Sequence, residues 1–353
     1  MNILVILTGG TIGSKAADGY IKPAEEQSPQ LISLYREYEM RAGLAFKDNF
    51  SSVAALNILS ENMDGAHLYV LIRTIKENLA AYDGIIVAHG TDTLQYTAAG
   101  LAEVFTDIDK PVVLVSSNYV LDDARANGFA NFAAAVTFIR NRLGCGVFVS
   151  YQNNITRTRC PGKDTIKETI DDTAPVYIHR GNALLPHNVY SDALYSLYDG
   201  WHCKILPEQS GDFVRFERYM LAEETNTAPA EDTQKADGKS QSPITDFSIT
   251  SGVLVLPALP GMCFPQLTPN IKAVLLVAFH SGTLPTGSEG FRSFVLNAHA
   301  LKIPVYVTGV QNQAGGTSTP YESTACYEEL HLKVLPEMSP AAAYIKLWGT
   351  KKI

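Results

Sequence analysis

Through roughly the first 200 residues, short continuous runs of β-branched and other apolar side chains alternate with longer stretches of helical spacing. That alternation restricts the fold more than any other feature of the chain. A strand that is apolar without interruption is buried on both faces, so helices must cover both sides of its sheet and return the chain for the next parallel strand. Asn2 to Leu7 reads as the first strand, followed by Gly84 to Ala88, Pro111 to Val115 and Gly146 to Tyr151, short runs opened or closed by Gly, Pro or Asp. Between them, Asp64 to Tyr82 places Leu68, Leu71, Ile72, Ile75 and Leu79 three and four apart, an apolar stripe suited to packing on a sheet. Ser28-Pro29, ahead of Leu31, Leu34 and Tyr35, has the form of a helix cap with proline in the first turn, and Thr91 or Asp92 could cap a later helix.

At 353 residues the chain exceeds what one ordinary core accommodates. Residues Ala222 to Ser242 are polar and nearly devoid of apolar side chains, which reads as an exposed linker. Beyond it, Gly252 to Leu256, Ala273 to Phe279 and Ile303 to Val307 read as strands and Phe291 to Leu301 as an amphipathic helix. The expected fold class is α/β: a large N-terminal domain with a mostly parallel sheet flanked by helices, linked to a smaller C-terminal α/β domain. The expected division is 1–205 for the N-terminal domain, 206–245 for the connecting segment and 246–353 for the C-terminal domain.

A formal net charge of −8 supplies no positive field for phosphate backbones or anionic lipid, so nucleic acid is not an expected partner. The longest apolar runs fall far short of the ~20 residues that a bilayer crossing needs, and no membrane partner is expected. Met1 leads directly into the first strand without a basic leader or cleavage site, from which a cytoplasmic location is expected. The 5 cysteines (Cys145, Cys160, Cys203, Cys263 and Cys326) are scattered and nowhere in Cys-x-x-Cys spacing, which supports free thiols over a disulfide framework or a zinc site.

The first strand ends in Thr8-Gly9-Gly10-Thr11-Ile12-Gly13, a glycine turn at the carboxyl edge of a sheet, where open α/β proteins place their sites. Its spacing is not Gly-x-Gly-x-x-Gly and no P-loop lysine follows, so it lacks the mechanics of a nucleotide cradle. A second strand ends in His89-Gly90-Thr91-Asp92-Thr93 at the same expected edge. Singly, each motif is equally a structural turn, with Asp92 a cap and His89 a packed strand end. Together they bring two hydroxyls toward one place.

The paired motifs resemble those of the bacterial-type L-asparaginases, cytoplasmic and type I-like. The resemblance implies an α/β fold, a site shared between subunits of a homodimer or homotetramer, and a free amino acid as substrate. It assigns the nucleophile, or its close partner, to Thr11 and a loop tyrosine to Tyr20. Thr91, Asp92 and a later lysine, matched to Lys163 with Lys167 close behind, form a proton-relay trio. Leu59-Ser60-Glu61-Asn62-Met63 resembles the family's substrate-binding turn, so Ser60 and Glu61 join Thr91 and Asp92 as substrate-binding residues, although Ser60 could equally cap the next helix. Two departures stand out: Asn118-Tyr119-Val120 and Arg125-Ala126-Asn127-Gly128 replace an Arg-Pro and an Ala-Asp-Gly run.

A threonine hydroxyl is a poor nucleophile and an amide carbon a poor electrophile, so the reaction needs a base, an oxyanion donor and close positioning. The relay would supply the base, and backbone N–H groups at the glycine turns the oxyanion donors, with no metal and no cofactor. Asp92 and Glu61 suit an ammonium group; Ser60 suits a carboxylate. The expected activity is conversion of L-asparagine to L-aspartate and ammonia. Two alternatives stand beside it: an amidotransferase-type subunit that releases ammonia for glutamyl-tRNA, and a catalytically silent amino-acid sensor. The early position of Thr8 and the acidic charge weigh against the first.

Overall fold

The computed structural model describes all residues except 18–19, 24–29, 46–47, 163–164, 189, 223–243, 311–320 and 352–353, with backbone only for 14–17, 20–23, 245–246 and 350–351. The chain opens with β1 (Asn2–Gly9), the hairpin β2 (Ser14–Ala17) and β3 (Tyr20–Pro23), then α1 (Gln30–Ala42) and β4 (Asn49–Ile58). It continues through α2 (Gly65–Asn78), β5 (Gly84–Ala88), α3 (Leu94–Val104), β6 (Pro111–Val115), α4 (Gly128–Arg140) and β7 (Gly146–Gln152). A second hairpin, β8 (Ile155–Arg159) and β9 (Ile166–Ile170), precedes β10 (Val176–Arg180), β11 (Trp201–Ser210) and β12 (Phe213–Leu221). The rest comprises β13 (Ile244–Phe247), β14 (Val253–Pro257), β15 (Ala273–Val277), α5 (Glu289–Ala300), β16 (Val305–Thr308), α6 (Glu322–Glu329), β17 (Lys333–Val334), α7 (Pro340–Trp348) and β18 (Gly349–Lys351).

Eight strands form the large sheet in the order β12-β11-β10-β7-β6-β5-β1-β4. From β4 to β7 neighbours are parallel, and β10 to β12 continue the sheet antiparallel. The runs at 84–88 and 111–115 are strands with the bounds expected, and every residue of both is buried. The expected α/β class with a second, smaller sheet domain is therefore what the chain adopts.

Alternation along β1 divides its side chains between two cores. Ile3, Val5 and Leu7 pack with α1 and α4 on one face. Leu4 and Ile6 pack with α2 and α3 on the other. Consequently the helix after β1 and the helix after β5 lie on opposite faces although the two strands are neighbours, and a crevice opens at their carboxyl ends. The last helix, α7, returns to the second of these cores, where Tyr344 meets Tyr96 of α3 edge to face at 5.8 Å.

The smaller sheet, β14-β15-β16-β17, is parallel and has its own core with α5 and α6, centred on Val274, Leu276, Phe291, Val295 and Val307. The segment read as a linker falls almost wholly outside the described residues, as does the Ser28-Pro29 cap. Thr91 and Asp92 do not cap α3: the cap position belongs to Thr93, which makes no side-chain cap bond. Ser60 does not cap α2 either, because Asp64 accepts from the His67 N–H there.

Candidate functional site

The first turn is shaped by two glycines with left-handed backbone, Gly9 at φ +98° and Gly10 at φ +72°. Neither tolerates a side chain: a Cβ on Gly9 would stand 2.3 Å from the Ile58 carbonyl oxygen, and one on Gly10 2.4 Å from Gly90 Cα. Gly10 N–H donates to Ile58 O at 2.9 Å, and Gly13 N–H closes back on Gly10 O at 3.0 Å, which folds Thr11–Gly13 into one 3-10 turn with Thr11 half-buried. The Thr8 hydroxyl donates to Ala88 O at 2.8 Å and thereby ties the end of β1 to the end of β5.

The second turn leaves β5 at His89, whose ring is fully buried and bonded through Nδ1 to Gly90 O at 2.8 Å. Burial lowers the His89 pKa to about 4, against a small opposing effect of that bond, so the ring is neutral near pH 7. A carbonyl partner implies that Nδ1 carries the proton. His89 is thus a packed strand-end residue that shapes the turn.

Gly90 is enclosed on both sides. A Cβ there would stand 2.5 Å from Ser60 Oγ and 3.2 Å from Gly10 Cα. Ser60 is buried in the short turn Ser60–Asn62 after β4 and joins this contact by three bonds. Its hydroxyl donates to Asp92 Oδ2 at 3.3 Å and accepts from Asp92 N–H at 3.2 Å, while its carbonyl accepts from the Thr93 hydroxyl at 2.8 Å. Asp92 and Glu61 are exposed; Thr91 is half-buried. Three loops, leaving β1, β4 and β5, therefore converge with Thr11, Ser60, Thr91 and Asp92 at their tips.

Of the remaining sequence-derived candidates, Tyr20 opens β3, which lies against the Thr11 turn. Lys163 lies outside the described residues, between the strands of the β8–β9 hairpin. That hairpin is clamped by Arg157, which donates to Tyr119 Oη at 2.8 Å and pairs with Glu168 at 3.0 Å and Asp192 at 2.6 Å.

The departures noted at 118–128 have a structural explanation. Asn118 and Asn127 exchange bonds, Asn118 N–H to Asn127 Oδ1 at 3.0 Å and Asn127 N–H to Asn118 Oδ1 at 3.1 Å, while Asn127 Nδ2 donates to Gln152 O at 2.8 Å. Amide pairs thus close the loop after β6 and fasten it to β7. No sequence signal announced this exchange, since its two asparagines stand nine residues apart in the irregular connection between β6 and α4.

Residues 2–168 match the family model described as asparaginase, N-terminal. Over their full lengths, similar architectures include the thermostable L-asparaginase from Thermococcus kodakarensis, with TM-score 0.63, 20% identity and coverage of 99% of this chain and 92% of that one. L-asparaginase I from Vibrio cholerae superposes with TM-score 0.65 at 21% identity, covering 98% and 91%. Among curated proteins, the D subunit of the glutamyl-tRNA(Gln) amidotransferase from Thermoplasma volcanium is 33% identical over 145 residues, 40% of this chain and 34% of that protein. Its namesake from Pyrococcus horikoshii is 27% identical over 221 residues, 61% and 44% respectively. The matched stretches thus span about a third to under a half of those relatives' lengths.

The fold and the converging turns define a class: residues 2–168 match the asparaginase family model, and the whole chain has the fold of L-asparaginases. The resemblance carried by the two threonine motifs holds at the level of the family.

Proposed function

We propose that this chain is an amidohydrolase that converts L-asparagine to L-aspartate and ammonia. The observation that carries this reading is the packing of Gly10 against Gly90 with Ser60 beside them, because it brings two threonine turns and an exposed carboxylate to one crevice. The Thr11 hydroxyl adds to the carboxamide carbon as the relay of Thr91, Lys163 and Asp92 takes its proton. Backbone N–H groups of the glycine turns hold the developing oxyanion. The C–N bond then breaks, ammonia leaves with the relayed proton, and water cleaves the acyl-threonine ester. Ser60 and Glu61 hold the polar ends of the amino acid with Thr91 and Asp92, and Tyr20 closes over it.

In this reading the working form is a cytoplasmic, type I-like homodimer or homotetramer, with glutamine a secondary substrate and neither cofactor, nucleic acid nor membrane required. A second reading, favoured by the identity with the D subunits of the amidotransferases, is release of ammonia for a tRNA-bound substrate. Ammonia release from free asparagine and glutamine, measured with and without glutamyl-tRNA, tests both. Turnover of the free amino acid alone supports hydrolysis; strict dependence on tRNA overturns it. Silence under every condition, with retained asparagine binding, leaves a sensor.

A further inference from the structure

The described residues 181–188 and 190–196, which follow β10, begin at the amino end of β7, where Gly181 N–H donates to Val147 O at 2.9 Å, and run beside α3 to the carboxyl end of β7. Gly181 sits so close to α3 that a Cβ would be 2.8 Å from the Ala98 carbonyl oxygen. Leu184 and Leu194 share a core with Leu94, Ala98 and Tyr151. Asn153 fastens the far side, with its Nδ2 donating to Leu194 O at 3.1 Å and its Oδ1 accepting from Leu194 N–H at 2.9 Å. This segment therefore borders the start of α3, where Asp92 lies.

His187 is the side chain of interest in it. Its ring meets that of Tyr151 edge on, with centroids 5.6 Å apart, and its Nε2 is buried without a hydrogen-bond partner among the described residues. A buried ring nitrogen without a partner is costly, so a position of this kind is stable when an incoming group fills it. The charges of Asp192 and Asp92 both reach the ring, yet burial outweighs them and keeps it neutral. Asp192 is already paired with Arg157 at 2.6 Å. Among the described residues Asp92 is paired with no cation; it is exposed and bonded to Ser60.

We propose that His187 is an ammonium-binding residue of this site: Nε2 accepts a hydrogen bond from the α-ammonium of an amino acid whose charge Asp92 balances. The proposal rests on the amino-acid reading of the site. It adds a recognition element that distinguishes amino acids from amides lacking the amino group.

The test compares His187→Phe and His187→Gln with the unmodified protein on L-asparagine and on succinamic acid, which is asparagine without its amino group. Loss of one bond to a charged group should raise KM for asparagine about tenfold or more in the Phe variant. Its kcat should stay within about threefold, succinamic acid kinetics should not change, and Gln should recover most of the loss. Equal losses on both amides, or none, would overturn the proposal. Should the Phe variant not fold, as judged by thermal unfolding, His187→Leu takes its place. If the unmodified protein hydrolyses neither amide, the hydrolase reading fails, and calorimetric titration with L-aspartate and succinate decides the role of His187. Weakened aspartate binding alone sustains that role, and equal affinities or no binding at all end it.

Discussion

Gly10 and Gly90 are packed back to back, each blocking a Cβ on the other at 2.4 and 3.2 Å from the neighbouring Cα. The turn that carries Thr11 and the turn that carries Thr91 are held together by this contact. An alanine at position 10 would also have to adopt φ +72°. Gly10→Ala should therefore destabilise the protein by about 1–3 kcal/mol. It should reduce asparagine turnover on the order of 100-fold through misplacement of Thr11. Urea unfolding and an ammonia assay check both, and unimpaired turnover in a folded variant would refute the convergence of the two turns.

Thr11→Val and Thr91→Val conserve shape and remove one hydroxyl each. Each should fold normally and lose turnover by on the order of a thousandfold, and the double variant should be little worse than either, because the two groups act as one unit. Single-turnover measurements would contradict the assignment if the effects multiplied, or if both variants worked normally.

Ser60→Ala removes the hydroxyl that both accepts from and donates to Asp92. The exposed carboxylate would lose its fixed orientation while its backbone N–H went unpaired, at about 1 kcal/mol of stability. We expect KM to rise more than kcat falls. The reverse pattern in steady-state kinetics would show that Ser60 acts in the chemical step instead of in binding.

His89 supplies a pH dependence with a definite sign. Its folded pKa, about 4, lies below the unfolded value of 6.5, so the unfolded chain binds the proton first as pH falls. The stability contributed is complete above pH 6.5 and is lost between there and about pH 4, amounting to about 3 kcal/mol at most. Buried His179, with its pKa lowered to about 3 by desolvation, acts in the same direction. Urea midpoints between pH 4.5 and 7 should therefore vary less in His89→Gln than in the unmodified protein. Identical pH profiles would disprove the assignment.

Legibility along the chain followed burial. The strands at 84–88 and 111–115 are buried at every position and stand out as unbroken apolar runs. β4 escaped notice because it lies at the sheet edge, where Ser51, Ser52 and Asn57 are tolerated. β11 and β12 were equally illegible: they extend the large sheet antiparallel with partly exposed faces, through residues expected in part to be a connector. Thr91 and Asp92 read plausibly as helix caps since local sequence favours that role, yet Asp92 takes its partner from Ser60, 32 residues away.

Amino-acid order by itself determined the βαβ alternation, the second sheet domain, and the two glycine-threonine motifs with their family resemblance, because hydrophobic period and turn chemistry are local properties. Only the tertiary structure decided that the turns after β1, β4 and β5 touch, that Asn118 and Asn127 clasp each other, and that the His187 ring meets Tyr151 of β7. Those relationships depend on strand order and on which face each helix covers, and such choices emerge when distant segments bury their apolar sides together.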